Sequence, residues 1–328
     1  MIIDFRTKNG AMNSYAIPNF KGKIIDSHVH CGKWTNDLFS TNDVLNFFNR
    51  KFNNGKDTVD RVIISNLDCI INGKNKAPYM DELSGNIKLL KKCLKNDKLV
   101  PFVVCQPGYG SAGNIELLLN KYPDLIKGLK FHPACLNLPA NDLKYIPYMK
   151  LAEKYNKPCL FHSEVITDSN NNFIRSGVSD PEYIYETARQ FPDVPVILGH
   201  MGLGGGKAHE AGIETLINSI ERGDAKLYAD LAWVDWDNPA KPHIVEVVDK
   251  LLHSTKGDKT ERLLFGTDAP LGVFGEKALK QKDAYDNNIK NIKQAIKDNF
   301  GADANKLISR IFYRNSKKLL NQNYNQVV

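Results

Sequence analysis

The feature that most constrains this chain is a succession of short apolar runs, each long enough for one strand and separated by segments of helical periodicity. The runs occupy residues 23–31, 59–65, 99–105, 126–133, 158–162, 196–200, 225–231 and 263–268. Apolar spacings near three and four predict helices over 81–96, 141–156, 180–191, 209–223 and 240–253. A further helix follows the cap Ser40-Thr41, with Val44, Leu45, Phe47 and Phe48 on one side. Strands alternating with helices argue for a parallel sheet. Eight such units in 328 residues fit a closed (β/α)8 barrel. A doubly wound open sheet is the alternative, but it would not gather the ends of the first, fifth and last strands around one axis.

Several runs end on residues able to hold a metal. The first contains Asp26-Ser27-His28-Val29-His30, and period two in a strand puts Asp26, His28 and His30 on one face. Two imidazoles so placed can grip one divalent ion. Three later runs end in His162, His200 and Asp268. A parallel barrel brings the C-terminal ends of its strands to one rim, so these residues converge there despite their separation in sequence.

Asp26-x-His28-x-His30, the later His162, Gly199-His200-Met201-Gly202 and the terminal Phe265-Gly266-Thr267-Asp268 together resemble the amidohydrolase superfamily. More narrowly, they resemble its amidohydrolase-related branch, which includes aminocarboxymuconate-semialdehyde decarboxylase-like proteins, hydrolases and lactonases. The resemblance runs in order from about residue 23 to 320. It implies a metal held by His28, His30, His162 and Asp268, with Asp268 also shuttling a proton. It further implies that His200 acts as general acid or polarises the substrate, unless a second metal is bound. Imidazoles with one carboxylate suit a single zinc, with manganese as an alternative.

The resulting expectation is a metal-dependent hydrolase in which metal-activated water attacks an amide, lactone or ester-like small molecule. The alternative is a non-oxidative decarboxylase on the same site. Decarboxylases of the branch often carry a bulky aromatic soon after the last aspartate, whereas Ala269-Pro270-Leu271 follow here, which favours hydrolysis. A third reading is an inactive binding barrel, which loss of a ligand would signal; all four ligands are present.

Further residues are candidates for substrate contact. Lys130 and His132 lie two apart on one strand face. Lys130 is read as an unmodified cation at the rim or as the partner of a buried acid; in binuclear relatives a carbamylated lysine occupies the fourth strand. His132 contacts substrate or supports the wall. Trp34, close behind the histidine pair, stacks on a ligand or seals the mouth. Glu164 and Arg175 belong to the long polar segment after the fifth run, with Arg175 as a carboxylate clamp. Gly204-Gly205-Gly206 lacks the Gly-Lys-Ser/Thr ending of a phosphate loop and is read as a turn or lid. His209, His243 and His253 fall in helical stretches and are assigned to the surface.

Composition narrows the remaining classes. A net charge of +7 is scattered over lysine-bearing helices rather than clustered in a stripe with aromatics. This argues against nucleic acid and leaves weak attraction of an anionic small molecule. Apolar content is 42%, and no run approaches the roughly 18 residues of a membrane span. Residues 1 to about 22 form an irregular leader without signal-peptide character, and six cysteines lack any Cys-x-x-Cys pair. A cytoplasmic protein with reduced thiols is expected. Residues 277–300 and 303–320 should pack as helices outside one barrel domain. Dimerisation would accord with the family, but no sequence feature establishes it.

Overall fold

The computed structural model describes residues 22–34, 37–70, 78–165, 177–203, 207–234, 243–270 and 282–321. Eight parallel strands form the barrel wall: β1 Lys23–Trp34, β2 Asp57–Asn66, β3 Leu99–Val104, β4 Gly128–Phe131, β5 Cys159–Glu164, β6 Pro195–Leu203, β7 Lys226–Asp230 and β8 Leu263–Leu264. Each pairs with the next through β8, with register shifts in β1 and just after His162. Closure comes from the chain just after β8. Ala269 bridges Val29, Ser27 N–H donates to Phe265 O at 2.9 Å, and His30 N–H donates to Ala269 O at 2.7 Å. The expected (β/α)8 architecture is therefore observed, with every apolar run except part of the last forming a strand.

The helices form where apolar spacing and caps demand them. Ser40 accepts from Asp43 N–H and Asp43 reaches back to Ser40, a capping box that opens helix Thr41–Phe48. Asp81 and Asp180 cap Glu82–Cys93 and Pro181–Arg189 by simple N-caps, accepting from Ser84 N–H and Glu182 N–H. Helix Ala112–Lys121, between β3 and β4, adds one element that the spacing did not single out. The polar stretch after His30 is not simply a loop: β1 continues to Trp34 and pairs antiparallel with Asp37–Phe39. No helix among the described residues is long and apolar enough to cross a membrane.

Two apolar layers line the strands. Ile24, Val29, Leu129, Phe131, Phe161 and Leu198 face the helices, in one large buried cluster. Ile25, Ile63, Val100, Phe102, Leu160, Ile197, Tyr228 and Leu264 fill the barrel interior. The C-terminal part plugs this interior from below. Helix Lys282–Phe300 is followed by Ala304–Ser309, a wide turn over Arg310–Arg314, and Asn315–Leu320. Tyr313, Leu319 and Leu320 join the interior cluster. Residues 277–281 lie outside the described residues, as does nearly all of the leader.

One expectation about β1 is overturned. Asp26 pairs with Val62 but Val29 pairs with Ile64, so three steps along β1 match two along β2. This bulge breaks the period of two. Ile25 points into the barrel and Asp26 points away from it, whereas His28 and His30 point back in. Asp26 is buried instead among Thr267 and Tyr285, the latter ringed by Phe47, Phe48 and Phe52. A second correction concerns His209, which is buried on the inner face of helix Lys207–Arg222 with its ring 5.4 Å from that of His243. His253 is exposed, as expected.

Candidate active site

On most strands, the residue one or two steps of two beyond the apolar floor is polar and faces the barrel axis. Ile63 is followed by Ser65, Leu160 by His162, Tyr228 by Asp230, and Gly128 by Lys130 and His132. In the last strand segment, Leu264 is followed by Gly266 and Asp268. These side chains, with His28, His30 and His200, collect at the C-terminal end of the barrel and are almost wholly buried; His132 is partly exposed. Glycines make room for them. A Cβ at Gly199 would lie 3.0 Å from His28 Cε1, and one at Gly266 would lie 3.1 Å from both Asp230 and His28.

Each imidazole at the centre is oriented by a second group. His28 Nδ1 lies 2.9 Å from Asp230 Oδ2; the carboxylate can only accept, so Nδ1 carries the proton and the Nε2 lone pair faces the axis. His30 Nδ1 lies 2.8 Å from Ser65 Oγ, which turns Nε2 to within 2.8 Å of Asp268 Oδ1. Asp268 Oδ1 is also 3.5 Å from His28 Nε2, while Trp233 Nε1–H donates to Oδ2 at 3.0 Å. His200 Nδ1 faces Asp268 at 3.8 Å, and its Nε2 is 3.0 Å from His162 Nδ1.

The backbone is strained where these groups are presented. His200, Met201 and Asp268 have φ of 62°, 48° and 57°, left-handed values that side-chain-bearing residues seldom adopt. Such conformations cost on the order of 1–3 kcal/mol each and persist where surrounding contacts enforce them. Here Asp26 supplies part of that enforcement. It accepts from His28 N–H at 3.2 Å, Thr267 N–H at 3.1 Å, Thr267 Oγ1 at 2.7 Å and Tyr285 Oη at 3.3 Å, tying β1, the segment after β8 and a C-terminal helix together.

Burial dominates the electrostatics. It holds His28 and His200 well below the usual imidazole range and also lowers His30, so these rings are neutral and available as ligands. Burial alone would raise Asp268, but the contacts of His30 and the Trp233 N–H with its two oxygens hold it well below the usual carboxylate range. Asp230 is pushed up to about 6 by burial, against the N–H groups of His200 and Ala232 that bond to it.

The donor set fits a divalent metal. Ligand atoms of His28, His200 and Asp268 lie within 4.8 Å of one another, all buried. His200 Nδ1 has no hydrogen-bond partner, and Asp268 Oδ1 has none of good geometry although His30 Nε2 stands beside it. Two unsatisfied buried atoms this close together are costly unless a ligand takes them up. His30 adjoins this cluster through Asp268. His162 stands one ring further out, stacked on His132 at 4.0 Å between centroids and 3.4 Å from the half-exposed Glu164.

The remaining candidates divide. Lys130 is not at the rim: it is fully buried, with Nζ 2.9 Å from His28 Nε2, because its strand position lies one residue pair below His132. Trp34 ends β1, but its side chain, Arg175 and Gly204–Gly206 lie outside the described residues. Asp230, Ser65 and Trp233 were given no role from sequence. Asp230 carried a signal, since it stands one residue from the end of the seventh apolar run, near where His162, His200 and Asp268 stand in theirs.

Comparison with known proteins agrees with this architecture. Among curated protein sequences no significant match is found. Among solved structures, a protein from Staphylococcus aureus described as an amidohydrolase is similar at TM-score 0.58 and 16% identity, over 91% of this chain and 99% of that one. A 2,6-dihydroxybenzoate decarboxylase from Rhizobium is similar at TM-score 0.56 and 12% identity, over 92% and 98%. A probable 2-pyrone-4,6-dicarboxylic acid hydrolase from Acinetobacter baumannii is similar at TM-score 0.56 and 15% identity, over 90% and 98%. At these identities the likeness establishes the shared barrel, and the barrel is seen to serve both hydrolases and decarboxylases. The family model described as amidohydrolase matches residues 90–322, well over half of the sequence, and the chain therefore belongs to the amidohydrolase family.

Proposed function

We propose that this chain is a metal-dependent hydrolase acting on a small molecule with an amide, lactone or ester-like bond. The observation that carries the reading is Asp268, a carboxylate kept ionised beside neutral imidazoles, with one oxygen fixed by Trp233 and the other aimed at His28 and His30. His28, His200 and Asp268, with His30 adjoining, would hold a divalent ion, zinc being well suited to this donor set. When bound, such an ion polarises a substrate carbonyl and lowers the pKa of water.

The chain's own groups supply the rest. Asp268 Oδ1 is placed to take a proton and pass it to a leaving group. His200, with Nε2 3.0 Å from His162, directs Nδ1 toward the same space, where it would serve as a ligand atom rather than as an acid. Asp230 and Ser65 keep the two β1 imidazoles in register, so little reorganisation is needed on binding.

The test is metal content per chain for protein purified without chelator, followed by a screen of lactones, amides and carboxylated aromatics. One equivalent of zinc or manganese with hydrolysis that Asp268→Asn abolishes is the expected result. Carbon dioxide release from a carboxylated aromatic, without hydrolysis of any substrate, would replace this reading with the decarboxylase. Absence of metal after repletion of a well-folded chain would sink it.

A further inference from the structure

The His28 nitrogen that a metal would need already faces a cation, the Lys130 ammonium. Because Asp230 fixes the proton of His28 on Nδ1, Nε2 has a single lone pair to offer, and it points at Lys130 Nζ from 2.9 Å. A metal held by His28 must take that lone pair. Lys130 has no surface alternative nearby: it is fully buried, and its strand neighbours Leu129 and Phe131 are packed in the outer core. Beneath it on the same face, Gly128 leaves space only for the Phe102 ring, since a Cβ there would meet that ring at 2.4 Å. The ammonium lies in the field of Asp268 and Asp230, the two carboxylates that a bound cation would otherwise neutralise.

We propose that Lys130 is a built-in cation that competes with the metal for His28 and thereby sets the metal affinity of the site. This rests on the metal-dependent reading above. Two positive charges within a few ångströms in a buried pocket repel strongly. Metal entry therefore requires the Lys130 side chain to leave His28 Nε2, and the energy of that displacement is subtracted from the metal's binding energy. A neutral side chain of similar length would remove the competitor while still filling the space.

The experiment measures zinc affinity of the full chain, stripped of metal, by competition with a chromophoric chelator. Lys130→Met should bind zinc at least about tenfold more tightly than the unsubstituted chain, and should melt at lower temperature before zinc is added. A purely structural lysine would lower the melting temperature without tightening zinc. Equal or weaker zinc binding by Lys130→Met, with the unsubstituted chain binding normally, overturns the proposal and leaves the metal-dependent reading intact. Zinc binding by Lys130→Met alone, or by neither protein, overturns the metal-dependent reading and this proposal with it. Should Lys130→Met fail to fold, Lys130→Gln is expected to show the same tightening. A zinc-soaked crystal of the unsubstituted chain gives an independent check: Nζ beyond about 3.5 Å from His28 Nε2 supports the competition, and an unchanged contact beside bound zinc overturns it.

Discussion

The floor and the mouth of this barrel are built from the same strands, one step of two residues apart, yet they obey opposite rules. At the floor, Ile25, Ile63, Val100, Phe102, Leu160, Ile197, Tyr228 and Leu264 interdigitate over a C-terminal plug. At the mouth, the next inward positions carry imidazoles, carboxylates and an ammonium, buried as deeply but packed by hydrogen bonds and charge. The floor gains stability from removing apolar surface from water. The mouth holds left-handed residues and unsatisfied atoms, which are costs that the floor and the outer layer offset. The contrast teaches that one closed sheet can separate folding from chemistry by strand position alone.

The sharpest way to break this separation is to empty the floor. Phe102→Ala should cost about 3–5 kcal/mol in chemical denaturation while leaving zinc affinity within a few-fold. A large loss of zinc affinity in the still-folded variant would show that floor and mouth are one unit. At the mouth, the double variant His28→Ala/His30→Ala should lose at least about a hundredfold in metal affinity, with the far-ultraviolet circular dichroism of the native fold retained. Unfolding of that variant would put the histidines among the structural elements instead.

Smaller changes sharpen the comparison. Asp230→Asn no longer fixes His28 Nδ1 as a donor to a carboxylate, and metal affinity should fall about 10–100-fold at a small cost in stability. The pH dependence of stability should carry the mark of the mouth. His28, His30, His132 and His200 are held below the ordinary value of 6.5, so the unfolded chain takes up protons that the folded chain refuses. Their contribution is present above about pH 6.5 and is lost as pH falls. Asp26 and Asp230, raised by burial to about 7 and about 6, act in the opposite sense, as does Glu82. For the two aspartates that contribution is full only below about pH 4 and disappears as pH rises through those values. With the histidines in the majority, the metal-stripped protein should lose about 1–2 kcal/mol between pH 6.5 and 5 in urea unfolding. A flat profile would mean that these imidazoles titrate as if exposed.

Much of the fold was legible because it is local. Apolar runs of strand length, capped helical spacings and polar residues at run ends specify eight strands and every long intervening helix but Ala112–Lys121. Closure into a barrel then brings His28, His30, His162, His200 and Asp268 to one end. The bulge in β1 was not legible, since it depends on matching three residues of one strand to two of its neighbour. It turned Asp26 from an expected companion of the histidines into a clamp behind them. Lys130 could be placed on the inward face by period, but not in depth, because depth depends on where neighbouring strands start and stop.

The sequence by itself determined which residues could meet: strand periodicity and the parallel order of the runs decide which side chains share a rim. Only the tertiary structure decided how they meet. Which nitrogen of His28 faces the axis follows from Asp230, a residue 202 positions away, and which cation that nitrogen accepts follows from Lys130. Hydrogen-bond directions and depth of burial are set by contacts between distant strands, and no local pattern in the chain encodes them.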